Sequence, residues 1–191
     1  RPLLALVFIA IHVLTTVTDG YAPISLVNAV LPFSSPYRPI WLGLGAIAFD
    51  LLIALTVTSL LRARIGYRTW RGVHWLAYAS WPIALVHALG SGSDARMSWL
   101  QLVAAVCVAG VAVAALWRVA GDRVPAVPRV GGALAAIAVP LAIGVFYVSG
   151  PDRSGWAARA GTPASLLPRP APRARAAAAP PAGRRWPRLR A

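Results

Sequence analysis

Residues 40–61 read IWLGLGAIAFDLLIALTVTSLL, an apolar run whose one charged side chain is Asp50. As a helix, this run is long enough to cross a hydrocarbon core of ~30 Å, which takes about 20 residues. A helix is expected because lipid offers no hydrogen-bonding partners to the backbone of an open strand. Four further segments have the same character, so the sequence predicts an all-α membrane protein with five transmembrane helices. The predicted helices cover residues 2–18, 40–61, 73–89, 99–117 and 130–149.

The composition of the whole chain agrees with a membrane location. Of its 191 residues, 58% are hydrophobic and 13% are charged, against ~25% charged residues in typical soluble domains. This excludes an ordinary soluble globular protein, which needs more polar surface. The formal net charge of +14 would suit nucleic acid, but most arginines flank the apolar segments or lie beyond residue 150, as in membrane proteins. We therefore expect membrane lipid, and not nucleic acid, as a partner.

Charges in the loops predict the orientation of the chain in the membrane. Residues 62–72 carry four arginines and no acid, and residues 118–129 carry three arginines and one aspartate. The positive-inside rule places both loops in the cytoplasm of a multi-pass protein of the cell membrane. From Gly150 the sequence changes to Pro, Ala and Arg, which predicts a disordered tail over 150–191 behind one membrane domain, 1–149.

The three histidines of the chain, His12, His74 and His87, all fall within predicted membrane segments. Each can be a packed side chain with an ordinary hydrogen bond, but ionisable residues inside membranes are rare and tend to be functional. In the predicted orientation, His12 and His87 lie at similar depth in the outer halves of two helices, and His74 lies near the inner end of the helix that carries His87. Two imidazoles that face each other across an apolar bundle can bind a haem iron from both sides.

The spacing of the histidines predicts a second haem. His74 and His87 are 13 residues apart, which corresponds to about 20 Å of helix and suits one haem in each leaflet. The inner haem needs a further histidine level with His74. Counting back 13 residues from His12 ends just before Arg1, so the sequence predicts that the haem-binding bundle is truncated at its N-terminus.

Two stretches carry a resemblance to a known family. One is LLALVFIAIHVLTTVTDGYAP, residues 3–23; the other is residues 41–94, which include WRGVHWLAYASWPIALVHALG. They resemble the ferric reductase-like transmembrane domain, a haem-b core in which histidines 13 or 14 residues apart lie on each of two helices. The resemblance implies that His74 and His87 are ligands from one helix and His12 is a ligand from the other, with one or two haems b bound.

The resemblance also implies a function. It is that of a membrane b-type cytochrome that passes electrons across the membrane through bis-histidine haem, as a subunit of a reductase. Eukaryotic members carry flavin and nicotinamide domains, but Gly43-Leu44-Gly45 lies inside a predicted helix and lacks the strand and the third glycine of a dinucleotide loop. A separate quinol or flavoprotein would then supply the electrons. The acceptor, and whether the chain itself is an oxidoreductase, are left open.

Two arginines complete the candidate site. Arg68 and Arg71 precede His74 by six and three residues. They are placed to pair with the propionates of an inner haem or, equally, to anchor the segment at the cytoplasmic surface. The competing interpretation of the whole sequence is a haem-free membrane scaffold or transporter accessory protein, in which the histidines are merely packed.

Overall fold

The computed structural model describes residues 2–121 and 126–168. Within these two ranges the chain is helical and contains no strand. The helices are α1 (Pro2–Thr18), α2 (Leu26–Val30), α3 (Pro39–Leu60), α4 (Arg62–Ile65), α5 (Tyr67–His74), α6 (Leu76–Ser91), α7 (Ser98–Ala120), α8 (Ala126–Ser149) and α9 (Trp156–Arg159), followed by a short 3₁₀ helix, Ala164–Leu166.

Three helices among the described residues are long and apolar enough to cross a membrane. They are Pro39–Leu60, Ser98–Ala120 and the part of α8 from Arg129 to Ser149. The prediction of an all-α chain is confirmed for the described residues, and these contain three candidate membrane spans. The other two predicted spans correspond to α1, with 17 residues, and α6, with 16, and both are shorter than the about 20 residues of a full crossing. Five spans are therefore not confirmed.

The predicted helix over residues 73–89 is divided in the structure. α5 ends at His74, and α6 follows after Trp75, so His74 and His87 lie on two helices and not on one as predicted. At the division the N–H of Tyr78 bonds to the carbonyl of Trp75 at 3.1 Å, three residues back instead of the four of an α-helix. The composition changes at the same point, from the arginines and aromatic rings of α5, typical of a membrane interface, to the apolar α6.

The long helices pack in two pairs, α3 along α6 and α7 along α8, and α1 packs against α2 and α3. The buried side chains are few and mostly small or aliphatic, including Ala46, Ala48, Leu89 and Ile143. α7 buries none of its residues. Such a large exposed apolar surface marks a protein solvated by lipid, because in water it would drive association.

The folded part of the chain extends beyond the predicted boundary at Ser149. Residues 150–168, expected to belong to the disordered tail, turn back onto the end of the bundle through α9. The Trp156 indole packs 5.1 Å from the Trp41 ring and donates from Nε1 to the carbonyl of Gly90 at 3.1 Å. One large aromatic side chain thus gives this Pro/Ala/Arg-rich stretch an apolar anchor. The remainder of the predicted tail, 169–191, and residues 122–125 of the loop before α8 lie outside the described residues.

Candidate functional site: a histidine pair between helices

His12 of α1 and His87 of α6 are neighbours at one cavity of the bundle. Their ring centroids are 6.5 Å apart, and the ring planes form an angle of 78°. The cavity has a volume of about 170 Å³ and is bordered by α1, α2, α3 and α6. Its walls are mostly apolar, and Thr16 and Asn28 are the polar residues that line it besides the two histidines. The two histidines that the sequence places at similar depth are therefore brought together by the fold.

The ring of His87 is held in one orientation by helix α3. Its Nδ1 lies 2.8 Å from the main-chain oxygen of Trp41. A carbonyl oxygen only accepts hydrogen bonds, so Nδ1 carries the proton and donates it. The other ring nitrogen, Nε2, then has a lone pair available for a metal. A backbone carbonyl bound to the far nitrogen is a common way to orient a metal-ligating histidine.

Gly45 of α3 makes room for this ring. A Cβ added at position 45 would lie 2.5 Å from Cε1 and 2.6 Å from Nδ1 of His87, so any larger residue displaces the imidazole. Gly43 receives the ring of Phe33 in the same way. The two glycines are therefore packing positions inside a helix, a usual role of small residues in membrane helices.

His12 is held less firmly than His87. It is exposed, and within the described residues its ring contacts the His87 ring and has no hydrogen-bond partner. Its main-chain oxygen accepts hydrogen bonds from the hydroxyls of Thr15 and Thr16, at 3.0 and 2.8 Å. These bonds stay within α1, so they do not restrict the imidazole. The His12 ring is therefore the more adjustable of the two.

Three other predicted site residues lie on α5 and do not border this cavity: Arg68, Arg71 and His74. His74 is exposed and stacks on the Trp70 ring at 4.7 Å, and the Arg71 guanidinium lies 5.8 Å from the Tyr67 ring. In the described ranges, His74 has no ring contact with another histidine. The same residues contain no group of three or more His, Cys, Asp or Glu side chains that could hold a metal ion. The structure thus brings one histidine pair together and leaves His74 in an aromatic array.

The donors of the histidine pair fit axial ligation of a haem. Two metal–imidazole bonds of ~2 Å, arranged in line, place the ring centroids about 6 Å apart, close to the observed 6.5 Å. The cavity of about 170 Å³ is smaller than the ~300–1,000 Å³ that encloses a sizeable ligand. A porphyrin therefore fits only if α1 shifts and the His12 ring turns to keep its distance from the His87 ring. Most side chains of α1 are exposed, so few contacts oppose that movement.

Two contacts that position His87 are missing from the sequence prediction. The first is the acceptor for His87, which is a main-chain oxygen. Every residue has a main-chain oxygen, so the sequence does not show which one accepts this bond. The second is Arg38, whose Nη1 donates to the carbonyls of Gly90, Ser91 and Gly92 at 3.2, 2.9 and 3.4 Å. These bonds cap the helix that carries His87. The sequence feature that could have pointed to a structural role of Arg38 is its position after the uncharged residues 20–37.

Comparison of the chain with family models, with curated proteins and with solved structures finds no match in any of the three. What the chain does must therefore be inferred from its own side chains.

Proposed function

We propose that this chain is a multi-pass protein of the cell membrane that binds one b-type haem between His12 and His87 and acts as an electron-transfer subunit of a reductase. The observation that carries the proposal is the histidine pair: two imidazoles from different helices, 6.5 Å apart, at one mostly apolar cavity. The resemblance of the sequence around both histidines to the ferric reductase-like transmembrane domain points in the same direction.

Each residue of the site has a separate task in this proposal. Trp41 keeps the proton of His87 on Nδ1 through its carbonyl, so that Nε2 presents its lone pair. Gly45 leaves space for the His87 ring beside α3. His12 supplies the opposite imidazole from a helix that can shift. Bound between them, a haem supplies a one-electron iron couple, whose potential depends on the axial ligands and the apolar surroundings.

The proposal assigns electron donation to a separate quinol or flavoprotein. Gly43 and Gly45 are the glycines that most resemble part of a dinucleotide-binding loop. In the structure Gly43 packs against Phe33 and Gly45 packs against His87. The donor therefore binds from outside the histidine cavity, and the acceptor is a further molecule. The reductase as a whole, not this subunit alone, would carry out the oxidoreductase reaction.

The proposal is limited to one haem for the described residues. A second haem at His74 needs another imidazole within reach, and in the described ranges the remaining two histidines are paired with each other. Arg68 and Arg71 are exposed on the same helix as His74. Their surface position suits contacts with lipid headgroups at the membrane interface.

A haem-free scaffold or transporter accessory protein is the second candidate, and one observation favours it. The cavity of about 170 Å³ leaves little free space, and His87 already has a hydrogen bond and a ring contact. Both observations are also consistent with a histidine pair that only connects α1 to α6. In that case the pair would hold the helices together and bind no cofactor.

Visible spectroscopy of the purified, haem-supplemented protein separates these two functions. We expect a Soret band and dithionite-sensitive α and β bands for the wild type. The variants His12→Ala and His87→Ala should lose six-coordinate haem, because each removes one axial ligand. His74→Ala is the matched control, since it removes the same side chain outside the cavity, and it should keep the spectrum.

Two results would overturn the proposal. A featureless spectrum of the supplemented wild type would leave the haem-free role as the better account. Unchanged haem binding and potential in His87→Ala would exclude this histidine pair as the site, even if the chain binds haem elsewhere.

A further inference from the structure

A second cavity lies at the end of the bundle where α6 ends, α7 begins and residues 150–168 turn back. It has a volume of about 410 Å³, within the ~300–1,000 Å³ of small-molecule sites. Three arginines line it, together with Trp156, Pro151 and Leu167, and no acidic residue does. The arginines are Arg38, Arg96 and Arg153.

Arg38 is the residue of this cavity whose side chain is buried and held by hydrogen bonds. It is only 4% exposed, and its Nε donates to Thr162 Oγ1 at 2.8 Å while Nη1 donates to carbonyls at the end of α6. Its backbone is left-handed, with φ 43° and ψ 59°, which is unfavourable for a residue other than glycine. A bond from its own N–H to the carbonyl of Gly161, at 3.1 Å, helps to hold it there. The guanidinium is therefore fixed in position.

The positive charge of Arg38 is not neutralised by these bonds. All its acceptors are neutral oxygens, and among the described residues no carboxylate forms an ion pair with it. Its Nη2 has no hydrogen-bond partner in the same part of the chain. A guanidinium this buried is costly without an anionic partner, and its contact with the Tyr37 ring, at 5.3 Å, offsets only part of that cost.

Arg96 and Arg153 add two further charges to the lining of the cavity, and Arg153 donates from Nε to the carbonyl of Val148 at 3.4 Å. Both are exposed, and neither forms an ion pair within the described ranges. The neighbouring acids contact hydroxyl groups: Asp94 lies 3.4 Å from the hydroxyl of Ser93, which lines the cavity, and Asp152 lies 3.4 Å from the Tyr147 hydroxyl. No carboxylate lines the cavity itself, and of its three guanidinium groups one is buried and two are exposed.

We propose that this cavity binds a phosphate oxyanion, either free or as the headgroup of an anionic phospholipid. Guanidinium groups match the oxygens of phosphate in pairs, and three of them suit a tetrahedral, multiply charged group. The cavity lies beside the ends of two candidate membrane spans, Ser98–Ala120 and Arg129–Ser149, where phospholipid headgroups are found. Basic pockets at the cytoplasmic ends of membrane helices bind such headgroups, and here the same groups lie at the end of the spans opposite the arginine-rich loops. This site does not depend on haem binding by His12 and His87.

The test uses the full chain in uncharged detergent, with Arg96→Gln/Arg153→Gln as the variant. These side chains are exposed, so their loss should leave the fold intact. Arg64→Gln/Arg118→Gln is the control, because it removes the same charge from exposed arginines on α4 and α7 that do not line the cavity. The probes are inorganic phosphate, with chloride at equal ionic strength for reference, and vesicles of phosphatidylglycerol or phosphatidylcholine.

We expect phosphate to raise the unfolding temperature of the wild type and of the control. Its affinity for the cavity variant should be lower by a factor of about ten or more. If the natural source is a headgroup, phosphatidylglycerol but not phosphatidylcholine should remain bound after extraction, and the cavity variant should lose it. Equal binding of phosphate and phosphatidylglycerol to both double variants would overturn the proposal. The proposal would also be overturned if the wild type bound neither phosphate nor phosphatidylglycerol.

Discussion

His87 and His74 stand at the two ends of one stretch of chain, and their surroundings differ. His87 is half-buried, its Nδ1 is bound to a main-chain oxygen at 2.8 Å, and a second imidazole lies beside it. His74 is exposed and contacts the face of Trp70. The surroundings of His87 suit the ligand role that we propose for it, whereas an exposed ring stacked on an aromatic side chain suits a membrane interface.

The arginines near the two histidines differ in the same way. Arg38, at the His87 end, is 4% exposed and donates from two nitrogens to four oxygens. Arg62, at the His74 end, is exposed and lies 4.9 Å from the Trp70 ring. Directional bonds in a buried setting fix geometry, and cation–π contacts at a surface do not. Substitutions at the His87 end should therefore cost more than matched substitutions at the His74 end.

The largest difference is expected between Arg38→Ala and Arg68→Ala. Removing Arg38 leaves carbonyls at the end of α6 and the Thr162 hydroxyl without a donor, so we expect a loss of about 3 kcal/mol or more in unfolding free energy. Arg68 is exposed on α5, and its loss should change stability by no more than about 0.5 kcal/mol. Denaturant unfolding in detergent, followed by circular dichroism, measures both. Equal losses would remove the distinction between the two regions.

The second comparison uses two helical glycines. Gly45→Ala places a Cβ 2.5 Å from His87 Cε1, whereas a Cβ at Gly110 of α7 meets nothing within 4 Å. We expect Gly45→Ala to destabilise the protein by about 1–3 kcal/mol through overpacking and to displace the His87 ring from Trp41. Gly110→Ala should be neutral or stabilising by up to about 1 kcal/mol, because alanine favours the helix. A Gly45→Ala protein as stable as Gly110→Ala would show that the ring is not confined by α3.

Much of the fold is predictable from the sequence because lipid imposes a simple rule on apolar length. The helix at 40–61 is found at Pro39–Leu60, and the helix at 99–117 at Ser98–Ala120. The division at Trp75 is not predicted, although the arginines of residues 62–72 mark the start of the apolar part. Hydropathy alone does not show where a helix changes from lying at the interface to entering the membrane.

The candidate site is predictable only in part. The depth of His12 and His87 follows from helix position and orientation, and this is why their proximity could be anticipated. Which nitrogen of His87 is free depends on the Trp41 carbonyl, and the packing of residues 150–168 depends on Trp156 meeting Trp41. Both are tertiary contacts between distant segments, and no local pattern of residue types encodes them.

A smaller effect is expected at His74 itself. His74→Ala removes a ring stacked 4.7 Å from Trp70, a contact worth about 1 kcal/mol. Because the ring is exposed, we expect His74→Ala to lose no more than about 1 kcal/mol of unfolding free energy, measured by denaturant unfolding. His74→Phe keeps an aromatic ring, so it is the control and should recover most of this small loss in the same experiment. A loss well above that of Gly45→Ala would place His74 in a structural core that the geometry does not show.

The smallest effect concerns how α5 is held, and Arg62 and Arg64 provide a matched pair. Arg62 of α4 lies over the Trp70 ring, 4.9 Å from its centroid, while Arg64 is exposed two residues further on, without such a ring contact in the described part of the chain. A cation–π contact at an exposed position is worth about 0.5–1 kcal/mol, so Arg62→Gln should increase local opening of α5 by roughly two- to fivefold. Arg64→Gln removes the same charge and should leave that opening unchanged, and Arg62→Lys should restore most of the protection because it keeps a cation. Hydrogen–deuterium exchange of the peptide that covers Tyr67–His74 measures the opening directly. If both glutamine variants exchange alike, charge near the membrane surface holds α5, and the Arg62–Trp70 contact does not.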